Sequence, residues 1–154
     1  MPFGIVLFRP EIPPNTGNIS RLCVGVRANL HIVDKPAFEL SHKAVRRAGL
    51  DHWDKLKLFL HASWEDFFFP IADKSRVFLI TKFGKNLYTD IAFKENDYFV
   101  FGNETSGLPE YIHNSVDPSQ KLFIPMLDPS VRSLNLSNAV AIVVYEAIRQ
   151  LQLK

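Results

Sequence analysis

The stretch FGIVLFRPEIPPNTGNISRLCVGVRANLHIVD, residues 3–34, decides how the rest of the chain is read. It opens on Phe3–Phe8 and closes on Leu30–Asp34, two runs with little or no alternation of apolar and polar residues. Strands covered by protein on both faces read this way, because neither face meets water. Between them Gly17–Ala28 reads as a helix. Strand, helix, strand in that order is the repeating unit of a parallel sheet. The segment IPPNTGNISRLC, Ile12–Cys23, carries more prolines and side-chain amides than a simple connection needs. It is expected to be a loop stiffened by Pro13 and Pro14 that leads into a helix carrying Arg21.

The same patterns recur downstream. Strand-like runs are LKLFL (Leu56–Leu60), RVFLIT (Arg76–Thr81), YFVFG (Tyr98–Gly102) and KLFIPM (Lys121–Met126). Helical candidates are Ser41–Ala48, with Ser41 as N-cap and Gly49 as stop, Trp64–Ala72, a short piece after Pro109, and Leu136–Leu151. The expected class is α/β, a mainly parallel sheet with helices on both faces. Residues 1–154 are expected to form one domain with no repeat or linker.

Composition narrows the function classes. Of 154 residues, 47% are hydrophobic and 22% charged, as in a globular protein. No apolar run approaches a bilayer-spanning length or a signal peptide, and the single cysteine, Cys23, allows no internal disulfide. A cytoplasmic location is expected. Net charge is +2, so binding of nucleic acid would need a local patch. Lys43, Arg46 and Arg47 share one face of a helix and offer such a patch, or only a solvated face; Arg9, Arg21 and Arg27 add cations elsewhere. The five histidines have no metal-ligand spacing, and no metal is assigned. Neither GxGxxG, a P-loop nor a GxSxG elbow is present. Cys23, inside an apolar helix, reads as a packed residue rather than a nucleophile.

In parallel sheets, ligands bind beyond the carboxyl ends of the strands. Three polar loops fall there: RPEIPPNTGN, GNETSGLPE and LDPSVRSLNLSN. Gly102 and Gly107 bracket Glu104 in the second, which is either a plain turn with a solvated carboxylate or part of a ligand site. In the third, Ser133, Asn135, Ser137 and Asn138 supply more polar groups than one N-cap requires. The helix beyond them is apolar all round over Ala139–Val144. It is either buried in the chain's own core or covered by a partner subunit.

Taken together and in order, NTGNISR, FGNETSGLP and IPM…VRSLNLSNAVAIVVYEA resemble the three motifs of the SPOUT (SpoU–TrmD) superfamily of RNA methyltransferases. The opening PEIPPNTGNISRLC and the short chain are most similar to its TrmL (YibK-like) branch, which methylates the ribose 2′-oxygen of the tRNA wobble nucleotide in the anticodon loop. Asn103 stands where that branch often has proline. The resemblance implies a C-terminal deep trefoil knot, which topology rules alone argue against. It implies S-adenosylmethionine held around Ile80, Gly102 and Ile124, with Ser133 nearby. It also implies a homodimer, packed partly through the last helix, in which the motif-one arginine serves the opposite chain's site. Arg21, essentially always protonated, would position substrate and activate the 2′-hydroxyl electrostatically. Asn15 and Asn18 would contact substrate, Glu104 would orient the nucleophile or the arginine, and Asn135 would complete the catalytic set. No metal is needed for methyl transfer from a sulfonium. The alternatives are 2′-O-methylation of ribosomal RNA and a non-catalytic RNA-binding module on the same scaffold.

Overall fold

A computed structural model describes residues 3–39 and 50–153 of the chain. The expected helix Ser41–Ala48, with Ser41, Gly49 and the basic residues Lys43, Arg46 and Arg47, lies outside the described residues.

Seven strands form one sheet: β1 (Gly4–Phe8), β2 (Asn29–Val33), β3 (Leu58–His61), β4 (Val77–Ile80), β5 (Asn86–Leu87), β6 (Tyr98–Phe101) and β7 (Lys121–Phe123). Their order is β3-β2-β1-β6-β4-β7-β5, and all six pairings are parallel. The helices are α1 (Pro13–Val26), α2 (Trp64–Phe68), α3 (Glu110–His113) and α4 (Leu136–Leu151). Every residue of β1 is buried, as its unbroken apolar run requires.

Successive side chains along β1, β4 and β6 enter different cores. Ile5, Leu7, Leu30, Ile32, Phe78, Phe99 and Phe101 pack with α1 and α4 on one face. Val6, Phe8, Val33, Val77, Leu79 and Val100 pack with α2 and Ile112 of α3 on the other. Period-two alternation therefore persists inside an all-apolar run, with each face filling its own layer.

Two helix boundaries differ from expectation. The proline-rich segment is not a loop: α1 begins at Pro13, with Pro13 and Pro14 in its first turn. A proline there loses no intrahelical hydrogen bond, and its fixed φ is already helical. Asn15, Thr16, Gly17 and Asn18 are thus helical, and Arg21 lies in the third turn of α1. Helix α2 stops at Phe68 instead of Ala72, because Pro70 can neither continue a helix nor leave its predecessor free to do so. Helix α4 has its expected bounds, with the Asn135 side chain accepting from the Ser137 N–H as N-cap. The two-residue strand β5 was not expected; it exists only through its pairing with β7.

Candidate active site at the carboxyl ends of the strands

Strands β6, β4 and β7 lie side by side, with Ile80 level with Phe101 and with Leu122. Gly102 and Ile124 follow the last residues of β6 and β7, so they emerge with Ile80 at one edge of the sheet. The segment after β4 is fixed to its neighbour by Thr81 N–H donating to the Leu122 carbonyl at 2.9 Å.

Motif two folds as a tight turn. The Asn103 Oδ1 accepts from Thr105 N–H, Ser106 N–H and Ser106 Oγ at 3.1, 2.7 and 3.0 Å. Asn103 pairs with Gly107, whose φ of +67° suits glycine. Gly102 is required by the sharp turn itself: a Cβ there would lie 2.3 Å from the Gly107 carbonyl carbon. The close approach is to the turn's own returning backbone.

Two hydrogen bonds across the chain draw the three motifs together. Glu11 N–H, before α1, donates to Glu104 Oε2 at 2.9 Å, joining residues 93 apart. Asn135 Nδ2 donates to Asn15 Oδ1 at 3.1 Å, joining residues 120 apart. Asn135 therefore caps α4 with its oxygen and ties α1 with its nitrogen. Asn15 is placed inside the fold, at 6% exposure, with its oxygen turned to Asn135.

What these ties leave open is informative. The second carboxylate oxygen of Glu104 is buried and has no hydrogen-bond partner among the described residues; the same holds for the Thr16 hydroxyl of motif one. A buried, unpaired polar atom is costly and calls for a ligand, an ion or a water. On α1, Pro14, Asn18, Arg21 and Gly25 form one exposed stripe, and among the described residues no acidic side chain pairs with Arg21. Arg9 is paired, with Asp34 at 3.0 Å. Ser133 is exposed in the loop before α4. Burial pushes the Cys23 thiol up to about 12, so it is not available as a thiolate nucleophile. Among the described residues no group of three His, Cys, Asp or Glu side chains is arranged to hold a metal, and no helix is long and apolar enough to cross a membrane.

A parallel α/β sheet with three motif segments tied together beyond its strand ends defines the class. Residues 2–145 match the SpoU rRNA Methylase family, and the chain belongs to that family. It is 47% identical over 148 residues to the tRNA (cytidine(34)-2'-O)-methyltransferase of Methylovorus glucosotrophus, covering 96% of this chain and 95% of that protein. A solved structure described as giving insight into 2-OH methylation of C/U34 on tRNA superposes with a TM-score of 0.92 at 39% identity, over 99% of this chain and 97% of that one. A SpoU methyltransferase of Streptomyces viridochromogenes, solved with the cofactor AdoMet, superposes with a TM-score of 0.84 at 25% identity, over 97% of this chain and 60% of that one.

Proposed function

We propose that this protein methylates the ribose 2′-hydroxyl of nucleotide 34, a cytidine or uridine, in the anticodon loop of tRNA, using S-adenosylmethionine. The observation that carries this reading is the pair of long-range hydrogen bonds, Glu11–Glu104 and Asn15–Asn135, which gathers all three motif segments at one sheet edge. The full-length likeness to a tRNA (cytidine(34)-2'-O)-methyltransferase supplies the substrate.

The residues at that edge fit the cofactor. Ile80, Gly102 and Ile124 are uncharged and partly buried, offering aliphatic walls and main-chain groups to an adenosine. Ser133 adds a hydroxyl, and the unpaired Glu104 oxygen adds a buried acceptor beside them. S-adenosylmethionine supplies an electrophilic methyl group on a sulfonium. The protein's task is to hold the 2′-oxygen in line with it, since positioning is the largest lever on such a transfer. Glu104, fixed by Glu11, orients the hydroxyl or the arginine; Asn135 holds motif three against α1. Arg21 stabilises the charge that develops on the 2′-oxygen, and Asn18, beside it on the same stripe, contacts the RNA. Lys43, Arg46 and Arg47 supply cations to the anticodon stem–loop.

Arg21 serves the site of a second copy, so the working unit is a homodimer. The outer face of α4 supports this: Ile142 belongs to neither core, and Tyr145 is 56% exposed beside it. The entry of β7 between β4 and β5 supports the knotted threading of the C-terminal part. A single buried thiol and a tRNA substrate support a cytoplasmic location for the reaction.

The test is to incubate the protein with S-adenosylmethionine and a tRNA pool and to map ribose methylation by mass spectrometry. A 2′-O-methyl group at position 34 is expected. Methylation of ribosomal RNA instead, the substrate in the family's description, would replace the tRNA reading.

A further inference from the structure

The segment after β4, Thr81–Lys85, presents an aromatic side chain that neither core uses. Phe83 is 72% exposed, yet the turn that carries it is hydrogen-bonded within itself and to β7. Its own N–H donates to Thr81 Oγ1 at 3.2 Å, and Gly84 N–H donates to the Thr81 carbonyl at 3.1 Å. Lys85 N–H donates to the Lys121 carbonyl at 2.9 Å, fastening the turn to β7. Gly84 lies so close to β7 that a Cβ would sit 2.3 Å from the Leu122 carbonyl carbon. The exposed ring is therefore held out by a rigid turn, not left on a frayed one.

Its surroundings are cationic and aromatic. The Lys82 ammonium lies 5.1 Å from the ring centroid, and His113 of α3 meets the ring edge-on at 6.5 Å. Lys82 and Lys85 bracket the ring in sequence, and both are exposed. The turn begins one residue after Ile80, so it stands at the rim of the candidate active site. An exposed aromatic between cations, on a chain of net charge only +2, is the arrangement that binds single-stranded nucleic acid: stacking for the base, ammonium groups for the phosphates. Anticodon-loop nucleotides are unpaired and can be splayed onto such a ring.

We propose that Phe83 is a stacking platform for an unpaired base of the RNA next to the nucleotide being methylated, with Lys82 and Lys85 on the flanking phosphates. This rests on the RNA-methyltransferase reading and adds a residue that the three motifs do not contain.

The experiment uses the full chain and an anticodon stem–loop RNA carrying 2-aminopurine beside position 34, whose fluorescence is quenched when it stacks. Phe83→Leu should weaken RNA binding roughly 5- to 150-fold and abolish the quenching. In methyl transfer to tRNA the loss should appear in KM, and Phe83→Trp should restore both binding and quenching. An unchanged affinity in Phe83→Leu overturns the proposal, as does a leucine that quenches as well as phenylalanine. So does loss of S-adenosylmethionine binding without RNA, or dissociation of the dimer in sedimentation, since the ring would then belong to the cofactor pocket or to an interface. Failure of the wild-type protein to methylate any tRNA would sink the functional reading instead; the binding and quenching comparison still decides the role of Phe83.

Discussion

At the amino ends of β4, β6 and β7 the polar groups are matched to one another. Asp97, wholly buried, accepts from Arg76 Nε at 2.8 Å, Arg76 Nη2 at 2.6 Å and Lys94 N–H at 2.7 Å. Arg76 also donates to the Ala92 carbonyl at 3.0 Å, and Gln120 Nε2 donates to the Lys74 and Val77 carbonyls at 2.7 and 2.8 Å. At the carboxyl ends, Glu104 uses one oxygen and leaves the other buried and unpaired, while Arg21 stands exposed without an acidic partner among the described residues. Both ends join distant segments with carboxylates, amides and arginines. At the amino ends of β4, β6 and β7 the groups complete each other and hold the sheet, while at the start of β2 the Asn29 Oδ1 is buried without a partner among the described residues. At the carboxyl ends the Glu104 oxygen and Arg21 are left for something else to complete. Where a protein finishes its hydrogen bonds it is building structure, and where it gathers polar groups and stops it is building a site.

The comparison fails if the two ends respond alike to substitution. The largest stability loss is expected at the matched end. Asp97→Ala leaves the Arg76 guanidinium without its bidentate partner and should lower stability by about 3–5 kcal/mol in urea unfolding. A loss below about 1 kcal/mol would mean that the pair is not structural.

The next effect is pH-dependent and belongs to the packed face beneath α2. His31 Nδ1 and His61 Nε2 are 2.9 Å apart, and His31 lies edge-on to Phe67 and Tyr98. Burial, and next the charge of His61, push the His31 pKa down to about 4. The unfolded chain takes up this proton near its ordinary value of about 6.5, whereas the folded chain resists it. The stabilising contribution is therefore full above pH 6.5 and is lost as pH falls toward 4, by about 3 kcal/mol at most. Unfolding titrations at several pH values check this; His31→Phe should flatten the profile.

At the unfinished end the signature reverses. Glu104→Gln keeps an acceptor for Glu11 N–H and should change stability by less than about 1 kcal/mol. Methyl transfer should nevertheless fall about 100-fold, because the group proposed to orient the reactants has changed. Asn135→Ala should lower stability by about 1 kcal/mol for the lost N-cap alone, measured by urea unfolding.

Much of the sheet was legible because its strands are apolar on both faces, and α4 was legible to the residue because Asn135 marks its start. The start of α1 was not. Pro13 and Pro14 read as loop formers, although in a first turn they are compatible with a helix. Strand order could not be read, since β5 owes its existence to β7. The site was legible only as motif segments. Its geometry comes from hydrogen bonds spanning 93 and 120 residues, which no local pattern encodes. The Arg76–Asp97 pair was missed for the same reason, and Gly102 proved necessary for the turn's own closure.

We propose that the carboxyl-end site is completed by Arg21 of a second copy. The most direct measurement is methyl transfer by a mixed dimer of differently tagged Arg21→Ala and Asn135→Ala chains. Each homodimer should be nearly inactive, the first while still binding S-adenosylmethionine. In a two-fold dimer the Arg21→Ala chain keeps an intact pocket and receives the arginine of the Asn135→Ala chain, so one site of two is whole. Turnover near half that of the wild type is predicted. A mixed dimer that is folded and binds the cofactor yet transfers no methyl group would contradict it, and Arg21 would then act within its own chain or not at all.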